Sequence, residues 1–137
     1  MNNESISGVI KIWIPDILFV LVFIAIMLMF WIGLANGSDA MGFSFLSMYI
    51  LLPVSGLITG FIDGLNRVDR FKWIFPFMAG IFNSFCQLFT FTLYNSLTKA
   101  NIFTIKIYLN LFLIAGIPTF LGVLFGTLTR KRIIAKK

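Results

Sequence analysis

The chain has 137 residues, 59 % of them hydrophobic and 12 % charged, with a mean hydropathy of +0.98. A soluble domain of this length has no core able to hide so much apolar surface, so composition points to an integral membrane protein. The net charge of +6 does not indicate nucleic acid, because the basic residues are divided among short connectors instead of forming one continuous face.

At the start of the chain, Ile6, Val9, Ile10 and Trp13 follow helical spacing, with Ser5, Ser7 and Lys11 between them. This pattern predicts a short amphipathic helix lying at the membrane interface. Pro15 and Asp16 then suit the first turn of a spanning helix, where a missing N–H costs little and a carboxylate meets the positive end of the helix dipole. Asp16 accordingly reads as a helix-start residue and not as a proton carrier.

Four apolar stretches follow, at roughly residues 15–35, 43–62, 73–94 and 107–128. Each approaches the ~20 residues that a helix needs to cross a bilayer core. The acidic residues Glu4, Asp16, Asp39, Asp63 and Asp69 all fall in termini, loops or segment ends. One of them at a helix centre would cost about 2.5 to 3.5 kcal/mol, enough to cancel several apolar side chains. The first stretch reads as a retained helix and not a signal peptide, since its apolar run is long and no clean A-x-A site follows. Trp13, Trp31 and Trp73 lie near expected membrane boundaries, as belt residues do.

The fold class is therefore all-α, a polytopic bundle of four transmembrane helices preceded by the interfacial helix. Residues 1–14 form an N-terminal segment, 15–129 a single four-helix transmembrane domain and 130–137 a basic tail. Lys11, Arg67, Arg70, Lys72, Arg130, Lys131, Arg132, Lys136 and Lys137 share one side, against Lys99 and Lys106 on the other. The positive-inside rule then places both termini in the cytoplasm of a bacterial cell, with the chain in its plasma membrane.

On the second stretch Gly56, Gly60 and Gly64 repeat every four residues beside Ser55, Thr59 and Asp63. The fourth carries a matching stripe of Ala115, Thr119, Gly122, Gly126 and Thr129. Such faces admit close backbone approach, so the second and fourth helices should make the tight contacts, within one chain or between chains, while the first mostly faces lipid. Pro53 and Pro118 each remove a backbone bond, to the carbonyls of Tyr49 and Ile114, and should kink these same two helices.

The third stretch holds the polar content, with Gly80, Asn83, Gln87 and Tyr94 on one face and Ser84 and Thr90 beside it. These amides should turn inward, either as interhelical hydrogen bonds or as a polar path lined by Asn83, Gln87, Thr90 and Tyr94. Interhelical bonding is the plainer expectation, because none of these groups titrates near neutral pH. Echoes between the two halves, such as Lys11, Trp13 and Pro15 against Lys72, Trp73 and Pro76, read as chance recurrence of common membrane-helix residues.

No catalytic constellation, metal cluster or nucleotide loop is present in the sequence. There is no His, the one cysteine is Cys86, and Asp63 with Asp69 sits beside three cations as a salt-bridged loop would. The expectation is a non-catalytic membrane subunit or accessory protein, without cofactor or metal, that assembles with itself or with a larger membrane complex. The alternative is a small oligomeric channel or transporter using the polar face of the third helix.

Overall fold

A computed structural model describes residues 3–37, 40–67, 70–97 and 105–136. The described chain contains α1 (Asn3–Ala35), α2 (Ala40–Leu46), α3 (Leu52–Asn66), α4 (Phe75–Gln87), α5 (Leu93–Leu97) and α6 (Ile105–Ala135). A π-helical segment, Ser47–Leu51, joins α2 to α3, and a second, Leu88–Thr92, joins α4 to α5. A short 3₁₀ turn, Arg70–Trp73, precedes α4. The described residues thus form four long helices, each long and apolar enough to cross a membrane. The expectations attached to Asp39, Asp69 and Lys99 fall outside the described residues.

The first long helix departs from expectation. Instead of an interfacial helix followed by a separate span, α1 is one continuous helix of 33 residues that runs through Pro15. At 1.5 Å per residue it is about 50 Å long, well beyond a bilayer core of about 30 Å. Asp16 therefore lies inside a helix and is not at its start, so its role must come from a tertiary partner. At the far end Gly37, with φ of +69°, ends α1 in the left-handed conformation that favours glycine, and Asn36 N donates to Ile32 O at 3.1 Å.

Proline explains the first of the two π segments. Pro53 cannot donate to the Tyr49 carbonyl, and the π segment Ser47–Leu51, which contains Tyr49, ends two residues before it. A wider turn there absorbs the missing bond, which is the form the expected irregularity takes. In the second segment the Thr90 hydroxyl donates to Cys86 O at 2.6 Å, the bond that Thr119, Thr127 and Thr129 also make along α6 without a wider turn. Helix α6, by contrast, continues as a single element through Pro118.

Helices α3 and α6 share the most extensive contact, followed by α4 and α6. Gly56, Gly60 and Gly64 are buried against the buried stripe Ala115, Thr119, Gly122 and Gly126. Both glycine stripes are thus consumed within one chain. On α1 only Pro15, Phe19, Ile26 and Phe30 among the described side chains are buried, and Phe19 packs edge-on against Phe75 and Phe82 at 5.3 and 6.0 Å. Most of its remaining large side chains point outward, as do Phe77, Leu109, Ile117 and Phe125 on α4 and α6. An apolar exterior around a small-residue interior is what a lipid solvent selects.

Candidate functional site

Two groups of polar residues lie inside the bundle. The first is the expected face of the third long helix, which the structure divides. Asn83 is fully buried and its Nδ2 donates to Leu111 O on α6 at 2.8 Å. Ser84 Oγ donates to Tyr108 O at 3.0 Å as well as to Gly80 O in its own helix. Thr90 is buried and bonded within its own helix, Gln87 is half-buried, and Tyr94 is exposed. The structure therefore brings Asn83 and Ser84 onto α6 and does not gather Asn83, Gln87, Thr90 and Tyr94 along one path. The π segment supplies the reason, since its extra residue rotates everything after it by about 100° and carries Tyr94 off the shared face.

The second group was not foreseen as a unit. Residue Arg67 has extended backbone, φ −86° and ψ 130°, and ends α3 with its N–H donating to Asp63 O at 2.9 Å. That turn folds its side chain back under the bundle, where only 4 % of it is exposed. The guanidinium pairs with Asp16 of α1 through Nη2, its Nε lies 3.6 Å from Asp63 Oδ1, and its Cζ sits 4.5 Å from the centre of the Trp13 ring. The carbonyl of the same residue accepts from Lys72 Nζ at 3.3 Å and from Arg130 Nη1 at 2.7 Å. Cations at the C-terminal end of α3 complement the negative pole of its dipole.

Arg67 is thus a hub. Its side chain gathers two carboxylates, its carbonyl gathers two cations, and the partners come from α1, α3, the 3₁₀ turn and α6. Asp63 is paired with Arg67, as the expectation of a salt-bridged loop has it, and it is fully buried, with Lys72 nearly so. Burying so many charges is tolerable only because they are paired at close range. Trp13, expected as a simple belt residue, also serves as the floor beneath the guanidinium. One signal in the sequence pointed here: Asp63 and Arg67 stand four residues apart, a spacing that permits pairing on one face.

A cleft of about 200 Å³ opens beside the hub, between α1 and the start of α4. Phe19, Val20, Phe75 and Phe82 give it apolar walls, and Asp16 and Arg67 form its polar end. Asp16 uses Oδ2 for Arg67, while its Oδ1 is buried without a hydrogen-bond partner. Among the described residues no cluster of three or more His, Cys, Asp or Glu side chains could hold a metal ion. Comparison with protein-family models, curated proteins and solved structures finds no match to this chain.

Proposed function

We propose that the chain is an integral membrane protein of the cytoplasmic membrane, with both termini inside, serving as a non-catalytic subunit or accessory protein that assembles with itself or with a larger membrane complex. What supports this over a channel or transporter is the fate of the polar groups of the third long helix. The Asn83 amide N–H and the Ser84 hydroxyl donate to the backbone of α6 and so tie two helices together, and the Thr90 hydroxyl donates within its own helix, so these donors are used inside the bundle instead of facing a passage. A partner would meet the apolar outer faces, because the glycine stripes are already occupied within the chain.

Flux through purified protein tests this directly. Liposomes carrying the parent protein should be as impermeable to ions and small solutes as empty ones, and Gln87→Leu should change neither permeability nor folding by more than about 1 kcal/mol. Selective conductance by the parent that disappears in Gln87→Leu would establish the channel instead. For assembly, a photo-crosslinking residue at the exposed position Phe125 should give one discrete adduct, either a dimer or a defined heavier complex. A smear or no adduct would count against a specific partner on that face.

Orientation rests on the nine-to-two distribution of cations. In a Cys86→Ala background, thiols introduced at the exposed Asn36 and Ser96 should label from outside intact cells, and those at Asn66 and Thr129 only after permeabilisation. Labelling of Asn66 from outside would reverse the orientation.

A further inference from the structure

We propose that the outer face of α6, at its C-terminal end, binds an anionic membrane phospholipid through Lys131 and Arg132. The inference rests on the membrane placement proposed above. Arg130 turns into the bundle, where its Nη1 donates to Arg67 O, and so marks the inner side of the helix. At 3.6 residues per turn, Ile117, Leu121, Leu128, Lys131 and Arg132 fall in one sector about 100° wide that faces away from Arg130. All five are exposed. One strip of the helix surface is therefore apolar over several turns and ends in two cations. The apolar stretch 107–128 is about 33 Å long, close to a bilayer core of about 30 Å, and the cations begin about 5 Å beyond it, at the depth of head-group phosphates.

The charge at this end selects the head group. From residue 70 to residue 137 the sequence contains no Asp or Glu. The nine Lys and Arg of this end stand against Glu4, Asp16, Asp63 and Asp69, and of these acids Asp16 and Asp63 face Arg67. Glu4 and Asp69 are too few to neutralise Lys131, Arg132 and the other cations, so the end stays positive wherever those two side chains lie. A zwitterionic lipid brings an ammonium that offsets its own phosphate, whereas an anionic lipid keeps a net negative charge for Lys131 and Arg132. A soluble anion would meet the two cations and leave the strip of Ile117, Leu121 and Leu128 uncovered. A phospholipid uses both, with its phosphate at the cations and one acyl chain along the strip.

In a Cys86→Ala background, Thr129→Cys at an exposed position carries a bimane fluorophore one turn from Arg132. The labelled protein is placed in phosphatidylcholine nanodiscs containing increasing fractions of doxyl-labelled phosphatidylglycerol or doxyl-labelled phosphatidylcholine. Half-maximal quenching by the glycerol lipid should come at a mole fraction about fivefold lower, which corresponds to about 1 kcal/mol for one net charge at a cationic surface. Replacing Lys131 and Arg132 together by Gln should remove most of that preference, whereas Lys106→Gln, at the opposite end of α6, should keep it. Raising the salt concentration should shrink the preference of the parent protein, a measurement that needs no variant to fold. Glycerol phosphate in the buffer should not relieve the quenching. Equal quenching by the two lipids, a preference that survives the double substitution or high salt, loss of it in Lys106→Gln, or relief by glycerol phosphate would overturn the site and leave the membrane placement standing. Failure of the protein to enter nanodiscs at all would overturn the membrane placement, and the site with it.

Discussion

Replacing Gly64 by Ala should cost most of the stability of the fold, whereas Gly116→Ala should be harmless or mildly stabilising. A methyl group on Gly64 would lie 2.8 Å from Thr127 N and 3.0 Å from Gly126 C, both backbone atoms of α6. On Gly60 it would lie 2.6 Å from Thr119 O. Backbone atoms cannot rotate aside as a side chain can, so relief requires the two helices to separate along their whole contact. Overpacking costs typically about 1 to 3 kcal/mol when side chains can adjust, and more where they cannot. Against a total stability of about 5 to 15 kcal/mol, that loss is large. At Gly116 the nearest atom is Pro76 O at 3.4 Å, an ordinary contact, and alanine improves helix propensity by about 1 kcal/mol. Thermal melts in detergent, followed by far-UV circular dichroism and size exclusion, should separate the two variants widely. Gly60→Leu should yield no monodisperse protein, and Leu57→Ile, on the exposed face, should resemble the parent. Equal melting of Gly64→Ala and Gly116→Ala would mean that the two backbones do not meet.

The pairing behind this prediction was readable from spacing alone, because glycines four residues apart on two different helices are complementary surfaces wherever they meet. Spacing carries no information about which copy of the chain supplies the second surface. Only the three-dimensional path shows that α3 and α6 of one chain meet, and it removes the glycine faces from any outside interface. The four long helices were similarly readable, since their signal is a run of apolar residues with charge confined to the ends.

Two kinds of information were hidden. Helical periodicity assumes a constant turn, and the segments Ser47–Leu51 and Leu88–Thr92 break that assumption, which is why Tyr94 leaves the face it should share with Asn83. Thr90, bonded to Cys86 O, lies within the second break, yet Thr119, Thr127 and Thr129 make the same bond in a regular helix, so no residue type in the sequence announces it. Long-range pairing was the other gap. Asp16 and Arg67 are 51 residues apart, and each had a sufficient local explanation, one as a helix-start carboxylate and the other as a loop cation. Their burial becomes visible only once α1, α3 and α6 converge at one end.

That convergence makes Arg67 the side chain whose loss should matter most. Arg67→Met keeps much of the apolar stem but leaves the carboxylates of Asp16 and Asp63 without their guanidinium, and an uncompensated buried charge costs about 3 to 5 kcal/mol. The main-chain carbonyl survives the substitution, so the contacts from Lys72 and Arg130 remain and the deficit reports on the carboxylates. Arg67→Lys should also melt early, because one compact ammonium cannot replace a planar fork that faces two acids and the Trp13 ring. The decisive variant adds Asp16→Asn and Asp63→Asn to Arg67→Met. Neutral amides relieve the stranded charges, so the triple variant should recover more than half of the melting temperature lost by Arg67→Met alone. Identical melting of the single and triple variants would shift the cause to lost stacking on Trp13, and a single variant as stable as the parent would show that the buried charges do not hold this end of the bundle together.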